Sequence, residues 1–538
     1  MGKTNQLIKT LSIGTAIFLS NTVLAIAETT SKVNSNLSNS QTNSTSQNIA
    51  QTADESSQII KPGQQSITNT EQLNPSTNPL SFPTQPAEVE VDTQQPITLE
   101  QAVELAIKNN QDRQEAQLQV ERAEAVLREA RAALFPTLDL GTGLTYSNDA
   151  FLDSTTEQVI EQRAEEAQQF NPTLTEEEAR ESAAGGLTNA ETSSFAFNTD
   201  VTLGYNIYDG GRRGAGIRAS QKQLRVSELD LERITEEVRL EAATSYYGLQ
   251  NSDAQVGIEE AAVEDAQQTL KDAQLLERAG LGTRFDVLRA EVELAQAQQR
   301  LSTAQANQNI ARRQLAETLS VSHDIQLATA DKIEEAGVWE LSLPESIVQA
   351  FKNRAELEQF LLQREIGDEQ RKIALASVRP TVSANASYGL NDDFEDDFDI
   401  SDSYQVGLNV QWRLFDGGAA RASARQSEKD IEIAETQFAN QRNQIRFAVE
   451  QAFYGLAANQ ENIGTATKEV ELAEESLRLA RLRFQAGVGT QTDVIDAQSQ
   501  LTAARGNLLS SIIEYNQSYA DLNRQVSNTP DNGLQDLP

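Results

Sequence analysis

Residues 486–497 read Ala-Gly-Val-Gly-Thr-Gln-Thr-Asp-Val-Ile-Asp-Ala, and residues 279–290 read Ala-Gly-Leu-Gly-Thr-Arg-Phe-Asp-Val-Leu-Arg-Ala. In both, Gly supplies the left-handed conformation that ends a helix and Thr is placed to cap the next one. Each stretch therefore predicts a tight turn between two helices. Before the second turn, Val449, Leu456, Ile463, Val470, Leu477 and Phe484 recur every seven residues, as do Leu249, Val256, Val263 and Leu270 before the first. After the turns, Val494, Leu501, Leu508, Tyr515 and Leu522, and likewise Val287, Leu294, Leu301 and Leu315, keep sevenfold spacing. These are coiled-coil seams, so the chain carries two long antiparallel helical hairpins. With no Pro between Arg212 and Ala279, a continuous helix there would reach about 100 Å.

The turns belong to a tandem repeat. Asp209-Gly210-Gly211 matches Asp416-Gly417-Gly418, and Tyr247-Gly248-Leu249 matches Tyr454-Gly455-Leu456, at the same offset of 207. Upstream, the stretch from Thr98 to Asn109 matches that from Ser342 to Asn353, and Pro136 matches Pro380, at an offset of 244. The difference locates an insertion between Pro136 and Asp209, and the polar, acidic stretch from Asp149 to Ser194 is its natural place. Each half then reads helix, strand, loop, strand, helix, turn, helix. The strands show period-two alternation. Leu138, Leu140, Leu144 and Tyr146 share one face. So do Phe195, Phe197, Val201, Leu203, Tyr205 and Ile207, then Val382, Ala384, Ala386, Tyr388 and Leu390, then Tyr404, Val406, Leu408, Val410, Trp412 and Leu414.

Composition narrows the setting. Aromatics make up only 5% of 538 residues, which favours long helices packed in thin layers over a broad aromatic core. A formal charge of -36 argues against a nucleic acid partner. The absence of Cys removes disulfides, thiolate metal sites, Cys nucleophiles and an N-terminal lipid anchor on Cys together. Lys3 and Lys9, the apolar run from Leu11 to Leu24 and then Ala25-Ile26-Ala27 form the pattern of a secretory signal over residues 1–27. Residues 28–96 are rich in Ser, Thr, Asn, Gln and Pro without a sustained period, which predicts a disordered polar linker.

No further stretch approaches the ~20 apolar residues of a membrane helix, so a membrane-spanning part must be built of strands. Four strands of about ten residues with one apolar face suit a lipid-facing barrel wall; a soluble antiparallel sheet with one wet face has the same alternation. Aromatics towards the strand ends and the export signal favour the barrel. Four strands cannot close one, because open edges in hydrocarbon cost several kcal/mol per unpaired group. Strands from other copies are required, and the pattern alone allows two, three or four chains. The fold class expected is thus mainly α with a β-barrel portion: a tandem-repeat protomer that gives four strands to an oligomeric transmembrane barrel and long coiled-coil hairpins to an α-helical tunnel. The first repeat spans 97–340, the second 341–526, and 527–538 form a tail.

The paired Tyr208-Asp209-Gly210-Gly211 and Phe415-Asp416-Gly417-Gly418, the Tyr-Gly-Leu triplets, the Ala-Gly-x-Gly-Thr turns, and the segments Asp286-Val287-Leu288 and Asp493-Val494-Ile495-Asp496-Ala497 resemble those of the TolC-like outer membrane efflux protein family. The resemblance covers about Ile97 to Val526. It implies a homotrimer in the outer membrane with its helical tunnel in the periplasm, docked on a periplasmic adaptor protein and an inner-membrane pump. Such a channel is the exit duct of an efflux or type I secretion system, catalyses nothing and needs no cofactor. A periplasmic coiled-coil structural or adaptor protein is the rival reading.

Asp493 and Asp496 lie three residues apart at a helix start, on one face. Three copies would make an acidic ring at the channel entrance, although acids here also complement the helix dipole. In the first repeat, Asp286 is kept but Arg289 stands at the place of Asp496. Gly280, Gly282, Thr283, Gly487, Gly489 and Thr490 are the candidates for adaptor docking at the hairpin tips. The family's best-known members hold the tip closed with a Tyr and an Arg, at positions that are Phe484 and Gly489 here, so that latch does not carry over. Of the remaining features, His323 has no evident partner for metal or acid-base work and reads as a solvent or packing residue. The acids from Asp392 to Asp402 lack the spacing of a calcium loop and read as a solvated tip. Gly210 to Gly216 lacks a Walker lysine and is no phosphate loop. No catalytic or metal residue is assigned.

Overall fold

The computed structural model describes residues 73, 74, 80, 84 and 93–527, apart from 149, 185–192, 323, 324 and 394–399. The export signal, most of the linker, His323, the centre of the acidic loop and residues 528–538 lie outside the described residues.

Two helical hairpins dominate. Helix α5 (Arg212–Arg278) turns into α6 (Arg284–Thr318), and α9 (Ala419–Gln485) turns into α10 (Gln491–Val526). The 67 residues of α5 and of α9 correspond to about 100 Å. Their sevenfold positions form the seams: Leu249, Val256 and Val263 on α5 are buried, as are Val449, Leu456, Ile463 and Leu477 on α9, with Val287, Leu315, Val494, Leu501, Tyr515 and Leu522 on the returning helices. Much of the rest of the seam is Ala, including Ala266, Ala273, Ala290, Ala297, Ala473, Ala480 and Ala504. Small side chains let the helices approach closely and leave a thin layer. Helix α5 also packs on α10, so the order across the layer is α6, α5, α10, α9.

Shorter helices thicken this layer. Helices α1 (Leu99–Asn109) and α2 (Gln111–Ala132) pack on α5; α7 (Leu343–Asn353) packs on α9 and α10; α8 (Ala355–Ala376) lies against both α5 and α9. Ion pairs fasten α8 on both flanks, including Arg218 with Glu369 at 2.7 Å and Arg364 with Glu435 at 2.8 Å. A two-stranded parallel sheet of β1 (Thr93–Ile97) and β4 (Ile325–Thr329) adjoins α1. This corrects the expected linker, which does not run unstructured to Pro96. Ile97 is fully buried and Leu73 is 1% exposed in the same core as Leu315, Leu319 and Leu327.

At the other end stands an antiparallel sheet in the order β2 (Thr137–Asn148), β3 (Ser193–Tyr208), β5 (Thr381–Asp393), β6 (Ser401–Gln411). Its register lines up apolar rows: Leu140, Val201, Tyr388 and Tyr404 are cross-strand neighbours, and so are Leu138, Leu203, Ala386 and Val406. The intervening row is Asp139, Thr202, Ser387 and Gln405. One face is therefore apolar and the other polar. The apolar face is open, with Leu140 75% and Tyr404 83% exposed. The edges β2 and β6 pair with no other described strand.

The Asp-Gly-Gly motifs join sheet to hairpin. Asp416 accepts from the backbone N–H groups of Gly418 (2.8 Å) and Ala420 (2.7 Å), and Asp209 from those of Gly211 (3.2 Å) and Arg213 (2.7 Å). Both glycines of each pair have positive φ, 70° and 90° in the first and 67° and 92° in the second, a conformation costly for other residues. The carboxylate satisfies the first N–H groups of each long helix, so the motif is a mechanical corner.

The insertion is helical where a loop was expected. Helices α3 (Ala150–Phe170) and α4 (Glu176–Ala184) pack through Ile160, Ala164, Ala167, Leu174, Ala179 and Ala183. Its described acids are exposed and its three buried residues, Ala164, Ala179 and Ala183, are all Ala, which hides the apolar period. No described helix is long and apolar enough to cross a membrane.

Candidate functional site

The candidate site is the pair of hairpin tips. Gly280 and Gly487 adopt φ of 74° and 72°, and the chain then folds back so that the N–H groups of Leu281 and Gly282 reach the carbonyl of Leu276, at 2.9 and 3.1 Å. Val488 and Gly489 reach that of Arg483, both at 3.0 Å. A Cβ on Gly489 would lie 3.0 Å from the Phe484 nitrogen and the Arg483 Cβ, so the second glycine is required by close approach.

The next helix starts in a capping box in each tip. The Thr283 N–H donates to Asp286 Oδ2 at 3.0 Å and the Asp286 N–H to Thr283 Oγ1 at 3.3 Å. In the second tip, Thr490 N–H donates to Asp493 Oδ2 at 2.9 Å and Asp493 N–H to Thr490 Oγ1 at 3.2 Å. These bonds hold the Asp493 carboxyl below the usual carboxylate range, the Thr490 N–H being the largest cause. Asp493 thus acts as a cap within the protomer. Asp496, one turn on, is exposed, as is Asp493.

The tips also touch each other, through contacts that the sequence pattern did not predict. Arg289 Nη1 donates to Thr492 Oγ1 at 2.6 Å, joining the first hairpin to the second. Farther from the turns, Arg481 pairs with Asp265 at 2.6 Å, and Gln498 Nε2 donates to Thr269 Oγ1 at 2.9 Å. Gln498 and Thr269 are 8% and 9% exposed, so this polar bond is buried inside the helical layer. The Arg289 contact had a signal in the repeat, since a cation replaces Asp496 there. Phe484 packs beside Leu477 and Val494, and Gly489 forms the turn, so neither takes part in a polar latch within the protomer.

With this geometry in view, residues 102–320 and 346–526 match the family model described as outer membrane efflux protein. The chain belongs to the outer membrane efflux protein family. This family member is 23% identical over 294 residues to nodulation protein T of Rhizobium leguminosarum bv. trifolii, covering 52% of this chain and 61% of that protein. It is 24% identical over 429 residues to the toluene efflux pump outer membrane protein TtgI of Pseudomonas putida, covering 77% and 81%. The fold matches the outer membrane protein VceC of Vibrio cholerae with a TM-score of 0.62 at 18% identity, over 80% of this chain and 95% of that one. Against the first curated relatives it matches, the chain spans less than two thirds of their length, 61% and 65%.

Proposed function

We propose that the protein is one subunit of an outer-membrane exit duct that carries molecules from an inner-membrane pump and periplasmic adaptor to the exterior. The observation that carries this reading is the open four-stranded sheet, whose apolar rows are exposed while both edge strands pair with no other described strand. Such a sheet is satisfied in hydrocarbon only when other copies supply the missing strands. The helical layer has the same incompleteness. Its outer helices α6 and α9 display Phe285, Leu288 and Val292 on one edge and Leu472, Leu479 and Leu482 on the other, all exposed. Both stripes lie near the turns, at similar distances along the axis, so the edge of one copy suits the opposite edge of the next. Repeating that contact closes a ring. Family likeness supports three copies and twelve strands.

In the ring the tips line the periplasmic entrance. Asp493 and Asp496 form its acidic ring and attract cations; Gly280, Gly282, Thr283, Gly487, Gly489 and Thr490 shape the surface that meets the adaptor. The duct catalyses nothing, and the pump supplies the energy. The deciding experiment is planar-bilayer conductance of the purified protein together with its mass in detergent. A trimer with discrete, cation-preferring channels is expected; a water-soluble species without conductance would replace this reading with a periplasmic scaffold.

A further inference from the structure

Every glycine of the four antiparallel strands falls on the polar face of the sheet. Glycine weakens a strand, so its recurrence on one face needs a local cause. None of these glycines has a positive φ, so the backbone conformation does not require them. The side chains opposite do. Gly141 is the cross-strand partner of Asp200, Gly143 of Asn198, and Gly407 of Asn385. A Cβ on Gly141 would lie 2.8 Å from Asp200 Oδ1, one on Gly143 2.7 Å from Asn198 Oδ1, and one on Gly407 2.9 Å from Asn385 Oδ1. Gly204 and Gly389 stand in the same relation to Thr137 and Ser403, at 3.1 and 3.2 Å. Each glycine thus leaves a space into which the polar end of its partner lies sideways, along the sheet. Thr202 Oγ1 donates to Asp200 Oδ2 at 3.1 Å and directs that carboxylate along the strand as well.

In a closed barrel the polar face lines the bore. Between the rows of Thr137 and Gly143 that face carries only Gly, Ser, Thr, Asn, Gln and Asp, with no Lys, Arg or aromatic side chain. Side chains lying flat leave a wide, hydrated passage; the same side chains standing upright on every strand would narrow it. We infer that these glycines determine which sizes of solute the barrel passes: by taking in Asp200, Asn198 and Asn385 they keep the wall flat and admit bulky hydrated solutes. The inference rests on the exit-duct reading, because the sheet encloses a bore only when several copies close it. It concerns the barrel wall and is separate from the hairpin tips.

The chain has no Cys, so a single engineered thiol reports alone. Ser387→Cys stands on the polar face one row beyond Gly141, Asp200 and Gly389 for a reagent entering from the loop end of the sheet. The test exposes intact cells, carrying the full-length chain in their outer membrane, to polyethylene-glycol maleimides of increasing mass and reads the gel shift of the chain. A sharp size limit is expected. Adding Gly141→Ala and Gly143→Ala pushes Asp200 and Asn198 into the path, and labelling by the largest polymer otherwise accepted should fall at least tenfold. Adding Asp200→Ala and Asn198→Ala as well should restore it, which a general distortion of the sheet would not allow. A size limit unmoved by the alanines, or a thiol that no polymer reaches, would overturn the proposal and leave the duct standing. Equal reaction with every polymer in all variants would show that the face encloses no bore, and would remove the duct reading too.

Discussion

Arg481 on α9 reaches Asp265 on α5, Nη2 to Oδ1 at 2.6 Å, and so ties the second hairpin to the first above their tips. Both side chains are partly exposed, so the pair contributes only ~0.2–1 kcal/mol to stability. Its effect should be seen in tip spacing instead. Asp265→Asn combined with Arg481→Ala is expected to leave the melting temperature nearly unchanged and to raise single-channel conductance several-fold. Unchanged conductance would place control of the entrance elsewhere.

The two tip acids should separate by experiment. Asp493→Asn weakens a capping box and should lower the melting temperature slightly, whereas Asp496→Asn should leave it unchanged. Both are expected to reduce cation preference in reversal-potential measurements, and the double variant most. Selectivity untouched by the double variant would rule out the acidic ring.

For the sheet, a cation on the apolar face offers a direct check of lipid contact. Leu140 and Val406 are 75% and 80% exposed, and Arg at either should cost about 2–4 kcal/mol if it lies near the bilayer midplane. Lower yield in outer-membrane fractions is the expected readout. Arg at Asp139, on the polar face, should be tolerated, and equal tolerance on both faces would contradict the barrel.

Acid should loosen the junction of α8 and α10. Glu356 is held down to about 2; burial opposes its charge, and the bidentate Arg354 contact with the nearby Arg524 more than offsets this. A depressed folded value means the stabilisation is complete above the unfolded carboxyl range near pH 4.5 and is lost as pH falls towards 2. The difference corresponds to about 3 kcal/mol at most. Glu356→Gln should flatten that part of the stability profile, and an unaltered acid transition would exclude Glu356 as its source.

Replacing a turn glycine and a helical glycine separates the conformational demand of the tip from that of the helix. Gly487→Val forces a φ of 72° on a side chain that resists it, at ~1–2 kcal/mol. Gly455→Ala, on a helix with open space around the Cβ, should be neutral or slightly stabilising. Chemical denaturation of the two variants checks the contrast.

Local chemistry along the chain determined much of this protein. Heptad spacing, period-two alternation, left-handed glycines and capping threonines are short-range rules, so the hairpins, the four strands and both tip turns are legible without coordinates. The α3–α4 hairpin escaped because Ala164, Ala179 and Ala183 bury too little apolar surface to mark a period, and β1 because Thr93-Gln94-Gln95-Pro96 is polar or breaking and one large apolar residue, Ile97, ends it. Tertiary structure alone decided the contacts between hairpins. Arg481 and Asp265 are 216 positions apart, and they meet only because the axial register of two long helices brings them level. Register depends on the sum of packing along whole helices, which no local pattern encodes.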